Sequence, residues 1–297
     1  MPLRHLLLAL AVVAVWGTNF VVIRWGLAEL PPFAFAALRF ALSSLPLLPF
    51  IARPATGWRT LASFGVLLGV GQFGLLFLAM RSDISPGLAS LVIQTQVFFT
   101  IGLAMLLRGE GLRPLQILGF ALALAGMGLI GLHVTGAAGS AGVSALGLLL
   151  VLGAAFSWAV ANLVARSAGK VDPLGFMVWS SLAAVPPLVG ISLLAEGGPA
   201  HLAQVVGAAS LAAWGAVLWQ AVGNTLFGYG AWNWLLARYP AATVAPTALL
   251  VPVFGMLSSS AVLGEPLPPW KLGAAALVLG GLALNLLSTR LKAPSRA

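Results

Sequence analysis

The stretch from Leu6 to Trp25 reads LLLALAVVAVWGTNFVVIRW and carries one charged residue, Arg24, next to its end. A helix that crosses the hydrocarbon core of a bilayer needs about 20 predominantly apolar residues. The apolar run of a signal peptide is only about 7–15 residues long and ends in a cleavage site of small residues. No convincing site of that kind follows before Arg24, so we expect Leu6–Trp25 to be an uncleaved first membrane span.

The composition extends this expectation to the whole chain. Hydrophobic residues make up 60% of the sequence and charged residues 7%, and the mean hydropathy is +1.04. A soluble domain has about a quarter of its residues charged, so this chain cannot cover a water-facing surface. Alternating segments typical of a membrane β-barrel are absent from the sequence. Cysteine is also absent, which excludes disulfides and thiol catalysis. The expected fold class is an all-α integral membrane protein.

Similar apolar runs recur along the chain and predict ten transmembrane helices. Most connections between them are short, so neighbouring spans are expected to be antiparallel. The predicted spans 1 to 10 are Leu6–Trp25, Pro32–Ile51, Leu61–Met80, Ser85–Leu107, Leu115–Leu132, Ala145–Ala165, Leu174–Leu194, Leu211–Leu236, Ala242–Leu263 and Trp270–Leu287.

The basic residues predict the orientation of these spans, because Lys and Arg accumulate in cytoplasmic loops. The formal net charge is +9. With the N-terminus inside, Arg24, Arg81 and Lys271 face outward, and most other basic residues lie inside. We therefore expect a multi-pass protein of the bacterial inner membrane with both termini in the cytoplasm. The basic residues orient the chain, so nucleic acid is not an expected partner. The inner set is Arg4, Arg53, Arg59, Arg108, Arg113, Arg166, Lys170, Arg238, Arg290, Lys292 and Arg296.

The two halves of the chain resemble each other. Trp16, Arg24 and Pro31 recur at one constant spacing, and Gly109-Glu110, Pro114 and Gly126 recur at a second. Their mates are Trp158, Arg166 and Pro173, and Gly264-Glu265, Pro269 and Gly281. Residues 1–135 and 145–290 thus each hold five spans, and an odd number places the second repeat upside down relative to the first. Inverted repeats are typical of transporters, with the substrate site near mid-membrane at the repeat interface.

Signatures of enzymes and metal sites are missing from the sequence. There is no phosphate-binding P-loop, HExxH or GxSxG motif. The six acidic residues all fall in loops or at span ends, and His5, His133 and His201 also fall near span ends or in loops. We therefore expect no catalytic residue, no metal and no cofactor, and no simple carboxylate-based proton relay of the kind found in pumps.

Polar and aromatic residues within the spans are the candidates for substrate binding, since a polar group in hydrocarbon is costly unless it has a partner. They are mostly neutral amides and hydroxyls, able to bind a zwitterion. The alternative role for each is a hydrogen bond between helices, worth about 0.6–2 kcal/mol. Trp16 and Trp158 are repeat mates that lie too deep to be interfacial anchors, and could wall the site or fill space. The cavity candidates are Trp16, Asn19, Gln72, Ser90, Gln94, Trp158, Asn162, Asn224 and Tyr229.

Three further residues are open to two readings. Arg39 lies deep in span 2, where it could bond helix carbonyls or attract a substrate carboxylate. Pro246 and Pro252 in span 9 each remove a backbone N–H and so a helical hydrogen bond. Both prolines are gating candidates, and the alternative is a static kink.

These residues stand in motifs that resemble the EamA family of the drug/metabolite transporter superfamily, in order along nearly the whole chain. The resemblance implies a ten-helix fold with a central cavity, helices 5 and 10 as scaffold, and alternating access without ATP. Similar bacterial proteins export amino acids and related metabolites, and the superfamily also includes nucleotide-sugar and drug carriers. The matching pieces are Trp16-Gly17-Thr18-Asn19-Phe20, Leu38-Arg39-Phe40, Gly87-Leu88-Ala89-Ser90-Leu91, Ala155-Phe156-Ser157-Trp158, Gly228-Tyr229-Gly230, Ala245-Pro246, Leu250-Val251-Pro252-Val253 and Gly264-Glu265.

The leading hypothesis is an exporter of small metabolites, most of all amino acids or their derivatives, that works by alternating access through a central cavity. The expected partners are a small-molecule substrate and the lipid bilayer, and the expected state is a monomer or weak dimer. The alternative is a membrane-embedded enzyme or a non-transporting assembly subunit. Saturable flux in proteoliposomes that contain this protein alone distinguishes the two.

Overall fold

The computed structural model of the chain describes residues 1–108, 113–134, 142–169 and 171–290, and over these ranges it is helical without β-strands. The repeat motif Gly109-Glu110 and the basic residues Lys170, Lys292 and Arg296 lie outside the described residues. The helices, labelled α1 to α11, are Leu3–Leu27, Pro32–Ser44, Trp58–Ser82, Pro86–Val92 with Ile93–Thr95 and Gln96–Arg108, Pro114–Leu132, Ala145–Ser167, Pro173–Ala195, Gly198–Ala208, Leu211–Arg238, Ala241–Val244 with Ala245–Leu249 and Leu250–Leu263, and Pro269–Arg290.

Eight of the described helices are long and apolar enough to cross a membrane: α1, α3, α4, α5, α6, α7, α10 and α11. The count becomes nine when α8 and α9, which meet at a bend of 99°, are taken as one span. The chain is therefore a multi-span membrane protein with eight to nine candidate spans in its described part.

Two regions differ from the sequence-based expectation. Span 2 was expected to reach Ile51, but α2 ends at Ser44 and continues as hydrogen-bonded turns. Pro46 and Pro49 explain this end, because neither has a backbone N–H to donate to the preceding turn. The segment 195–210 was expected to be a loop, yet residues 198–208 form α8, a helix with no buried residue.

Four helices contain irregular turns within their length. In α3 and α9 these are π-helical segments, Leu67–Gly74 and Trp219–Phe227. In α4 and α10 they are 3₁₀ turns, Ile93–Thr95 and Ala245–Leu249. Irregular turns inside helices often mark functional positions.

The helices pack in pairs that join the two halves of the chain. Contacts are extensive between α5 and α11, α2 and α7, α4 and α10, and α1 and α10. Small residues allow close approach: a Cβ added to Gly65 in α3 would lie 2.1 Å from the carbonyl oxygen of Ser180 in α7. Gly65 therefore permits close contact between α3 and α7 within the chain.

The acidic side chains in the described part of the chain all form hydrogen bonds at the N-terminus of a helix, where the helix dipole favours negative charge. Asp172 caps α7 at the end of the bundle that carries the N-terminus. The other four lie at the opposite end, called here the distal end, and each bonds to the other half of the chain. These four contacts, called the distal clasps, are Glu29 with Ser210, Asp83 with Ser144, Glu196 with the amides of Phe33 and Ala34, and Glu265 with Ser85 and the amide of Gly87.

Two of the clasps show their chemistry clearly. Hydrogen bonds from the Ser210 hydroxyl and amide hold the pKa of the Glu29 carboxyl below its ordinary value. Glu265 also pairs with Lys271, whose Nζ lies 3.1 Å from Oε1, and both side chains are buried. Hydrogen bonds at the distal end thus connect residues 1–135 with Ser144 and with residues 145–290.

Candidate functional site

A buried polar network joins α1, α2 and α9 in the middle of the bundle. Arg39 is 1% exposed, and its guanidinium donates from Nη1 to Gln220 Oε1 at 2.8 Å and from Nη2 to Thr225 Oγ1 at 2.9 Å. Gln220 in turn donates from Nε2 to Asn19 Oδ1 at 2.6 Å. The guanidinium also lies 3.8 Å from the centre of the Phe73 ring. Every polar partner named here is uncharged, which suits a site for a small polar ligand.

Aromatic rings stand beside this network on α1 and α9. Trp16 lies 5.4 Å from Tyr229 and 5.2 Å from Trp232, measured between ring centroids. Its indole Nε1–H donates to the backbone carbonyl of Asn224 at 3.2 Å. Gly228 permits this contact, since a Cβ there would lie 2.3 Å from the indole nitrogen. The structure therefore brings together four predicted residues, Trp16, Asn19, Asn224 and Tyr229.

A second group of candidates lies where α4 crosses α10. Gln94 Nε2 lies 3.5 Å from the carbonyl oxygen of Ala248. That carbonyl has no helical donor four residues later, because position 252 is proline. The Ser90 hydroxyl is fully buried and donates to Gly87 O, and it faces Gly255. Ser90 and Gln94 are thus placed at the contact between α4 and α10, away from the Arg39 network.

The remaining candidates lie on α6 and α3. Asn162 donates to Gln96 Oε1 at 3.1 Å, so Gln96 rather than Gln94 binds α6. Trp158 is half-buried against the hydrophobic core. Gln72 is 3% exposed, and its Oε1 has no hydrogen-bond partner within the described residues. The structure does not join these three side chains to Trp16 by any hydrogen bond or ring contact that it shows.

The irregular turns coincide with four of the predicted residues. Gln72 and Asn224 are each the sixth residue of a π-helical segment, in α3 and α9. Gln94 and Pro246 are each the second residue of a 3₁₀ turn, in α4 and α10. Pro252 lies buried in α10 just after its turn. Since regular helix hydrogen bonding is interrupted there, local polar side chains are the natural partners of the freed backbone groups.

A cavity of about 310 Å³ lies between α7 and α9. Its lining runs along α9 from Arg238, near the N-terminal end of the bundle, to Tyr229 and Thr225 beside the Arg39 network. On the α7 side it is lined by Asp172 and Met177, among others. Ligand pockets have volumes of about 300–1,000 Å³, so this cavity suits a small metabolite. Its lining reaches the N-terminal end of the bundle, whereas the distal clasps lie at the other end.

Three members of the central network were not among the predicted site residues: Arg39, Gln220 and Thr225. Arg39 is conspicuous in the sequence as a basic residue deep in a span, and Gln220 and Thr225 are polar residues within span 8. Their pairing has no local signal, since Arg39 and Gln220 are 181 residues apart. Within the described residues, no group of three or more His, Cys, Asp or Glu side chains is placed to hold a metal ion.

A helical fold with several membrane spans, a buried polar network and a cavity beside it is typical of a membrane transporter. Comparison with known proteins identifies the family. The model of the EamA-like transporter family matches residues 3–132 and 145–287. The chain belongs to this family, as the motifs in its sequence indicated.

Similar proteins are found among enterobacteria and among solved structures. A "Probable amino-acid metabolite efflux pump" of Salmonella typhimurium is 38% identical, with 97% of each chain covered. A protein of the same name from Escherichia coli is 36% identical, with 95% of each chain covered. One crystal structure, 20% identical, covers 99% of this chain and 100% of its own with a TM-score of 0.62, which supports the fold alone.

Proposed function

We propose that the protein exports amino acids or their derivatives from the cytoplasm across the bacterial inner membrane. The observation that carries this proposal is the Arg39–Gln220–Asn19 network with its aromatic neighbours, buried mid-bundle at the inner end of a cavity. Neutral amides, hydroxyls and ring faces suit a zwitterion. The names of the two enterobacterial relatives, similar over at least 95% of each chain, point to the same substrate class.

The proposed mechanism is alternating access by ten helices arranged as two inverted repeats, residues 1–135 and 145–290. Support comes from the separate family matches to each half and from the paired irregular turns in α3 and α9 and in α4 and α10. The α2 segment with its following turns, and α9, complete the set of ten. With the N-terminus in the cytoplasm, the cavity faces inward and the distal clasps seal the periplasmic side.

Flux through the purified protein tests the proposal. Proteoliposomes that contain this protein alone should show saturable transport of at least one of a panel of labelled amino acids, and empty liposomes should not. Lack of transport across the whole panel by folded protein would instead favour a membrane-embedded enzyme or an assembly subunit.

The orientation can be tested by single cysteines, since the chain has none of its own. A cysteine at Ala55, in the exposed connection after α2, should react only with reagents that reach the cytoplasm. A cysteine at the exposed Ala208, at the distal end, should react with an impermeant maleimide added to intact spheroplasts. The reverse labelling pattern would contradict the proposed orientation.

Asn224→Ala and Gln94→Ala should impair transport more than folding. Each side chain lies at an irregular turn, so its loss should alter the site while helix packing remains. The rate of flux should fall several-fold, while the unfolding temperature in detergent changes little. Asn285→Ala is a matched control, because this buried amide bonds Gly281 O within α11, and its loss should leave flux intact. Wild-type flux in both site variants would remove these residues from the site.

Pro252→Ala should slow turnover with a smaller change in substrate affinity. The substitution supplies the N–H that Ala248 O lacks, so the helix would extend through the 3₁₀ turn and stiffen α10. The Ala248 carbonyl would then accept from the backbone N–H of residue 252 instead of from Gln94. Steady-state exchange rates and KM, measured in the same proteoliposomes, separate the two effects. Unchanged turnover in a well-folded variant would show that the kink is static.

A further inference from the structure

Arg39 is a buried cation whose hydrogen-bond partners in the described part of the chain are all uncharged. The salt bridge formed by the described residues, Lys271 with Glu265, lies at the distal end. An ionised side chain inside a membrane protein is costly and normally faces a counter-charge or a substrate path. The Phe73 ring at 3.8 Å offsets part of this cost, but it does not neutralise the charge.

The guanidinium also keeps hydrogen-bonding capacity in reserve. Its Nε has no partner, although the atom is buried. If Arg39 only joined α2 to α9, a neutral amide side chain would do so equally well, and it would need no counter-charge. The uncompensated charge therefore favours an anionic ligand, and the free donor leaves a further hydrogen bond available to it.

The two acceptors of Arg39 can release it without losing all their own hydrogen bonds. Gln220 Nε2 remains bonded to Asn19 Oδ1 at 2.6 Å, and Asn19 Nδ2 lies 3.4 Å from Gln220 Oε1. The Thr225 hydroxyl donates to the carbonyl of Gln220 at 2.9 Å. Displacement of the guanidinium would thus leave neither side chain unsatisfied, which lowers the cost of an exchange of partners.

The cavity provides the route. Thr225 and Tyr229 form its inner end. Thr225 lies between the cavity and Arg39, and its hydroxyl accepts a hydrogen bond from Nη2. An anion that enters from the N-terminal end would therefore meet Thr225 first and the guanidinium directly behind it.

We propose that Arg39 binds the carboxylate of the transported molecule, whose two oxygens replace Gln220 Oε1 and Thr225 Oγ1 as acceptors of the two Nη groups. This proposal rests on the proposed function and narrows it. The substrate class is compounds with a free carboxylate, and it excludes their carboxamides and decarboxylated amines. A guanidinium matches a carboxylate in two parallel hydrogen bonds, so the recognition is selective as well as strong.

The test compares two probes in proteoliposomes: the best-transported amino acid of a twenty-member panel and its α-carboxamide. The wild type should transport the amino acid with a kcat/KM about 10- to 100-fold higher than that of the amide. Arg39→Gln should lose that advantage while its low activity on the amide persists, and Arg39→Lys should retain part of the advantage. Arg24→Gln is the matched control, because this exposed arginine bonds backbone carbonyls at the end of α3, and both probes should behave as in the wild type.

The possible failures are distinct. If the wild type transports both probes equally, or if folded Arg39→Gln keeps its preference for the amino acid, Arg39 is a structural brace and the proposed function stands. If Arg39→Gln does not fold, the wild-type comparison and Arg39→Lys still decide the matter. If the wild type transports no member of the panel, the proposed function and the carboxylate site both fall.

Discussion

Glu265→Ala is expected to destabilise the protein by about 3–5 kcal/mol, the usual cost of removing one partner from a buried ion pair. The substitution would leave Lys271, which is 1% exposed, as an uncompensated buried cation. It would also remove the acceptor of the Gly87 amide at the start of α4, at 2.9 Å, and of the Ser85 hydroxyl. Thermal and denaturant unfolding of the purified protein in detergent would measure the loss.

Two further variants make this prediction specific. Glu265→Ala combined with Lys271→Met should regain much of the lost stability, because the orphaned charge is then gone. Glu29→Ala should have a much smaller effect, because its clasp with Ser210 is exposed. Equal effects of Glu29→Ala and Glu265→Ala would show that the buried pair contributes nothing beyond a surface contact. If the double variant does not regain stability, the loss comes from the missing hydrogen bonds of Glu265 at the start of α4 and not from the buried charge of Lys271.

Gly17→Ala is expected to destabilise the protein by about 1–3 kcal/mol and to reduce transport, because the added methyl group has no room. A Cβ at position 17 would lie 2.4 Å from Phe254 Cβ and 2.6 Å from the carbonyl oxygen of Val251. Phe254 Cβ is bonded to the α10 backbone and the Val251 oxygen is part of it, so neither can rotate away. The helices α1 and α10 would therefore have to move apart. The neighbouring Trp16 and Asn19 would move with α1, and the Arg39 network with them.

Gly102→Ala in α4 is the control, and its expected effect on stability is the opposite one. Apart from the neighbouring backbone of α4, no atom of the described residues lies within 4 Å of a Cβ built at that position. Replacing a helical glycine with alanine where there is room should stabilise the protein by about 0.5–1 kcal/mol. Unfolding midpoints and flux measured for both variants test the pair. A Gly17→Ala protein as stable and as active as the Gly102→Ala protein would contradict the close contact between α1 and α10.

Much of the candidate site could be named from the sequence, since a polar residue within a long apolar run is conspicuous by itself. Asn19, Gln72, Gln94 and Asn224 were identified in this way, and all four are buried in the structure. Their partners could not be identified. The amide of Asn19 bonds Gln220 on a helix 201 residues away, while Gln94 approaches a backbone carbonyl that only the turn before Pro252 makes available.

The sequence by itself determined that this chain is a helical membrane protein of a transporter family. Hydropathy is a property of each residue, and its sum over about 20 residues decides whether a helix enters the bilayer, whatever the rest of the chain does. The membrane then requires each span to satisfy its own backbone hydrogen bonds, which fixes the secondary structure.

Only the tertiary structure decided which polar groups meet. Hydrogen bonds reach about 3 Å, so the partner of Arg39 depends on how α2, α3 and α9 are placed, and no local pattern encodes that placement. The same holds for the π-helical segments in α3 and α9 and for the acidic residues that cap helices of the opposite half. These features come from side chains and backbones that are distant in sequence and competing for the same few hydrogen-bond partners in a medium without water.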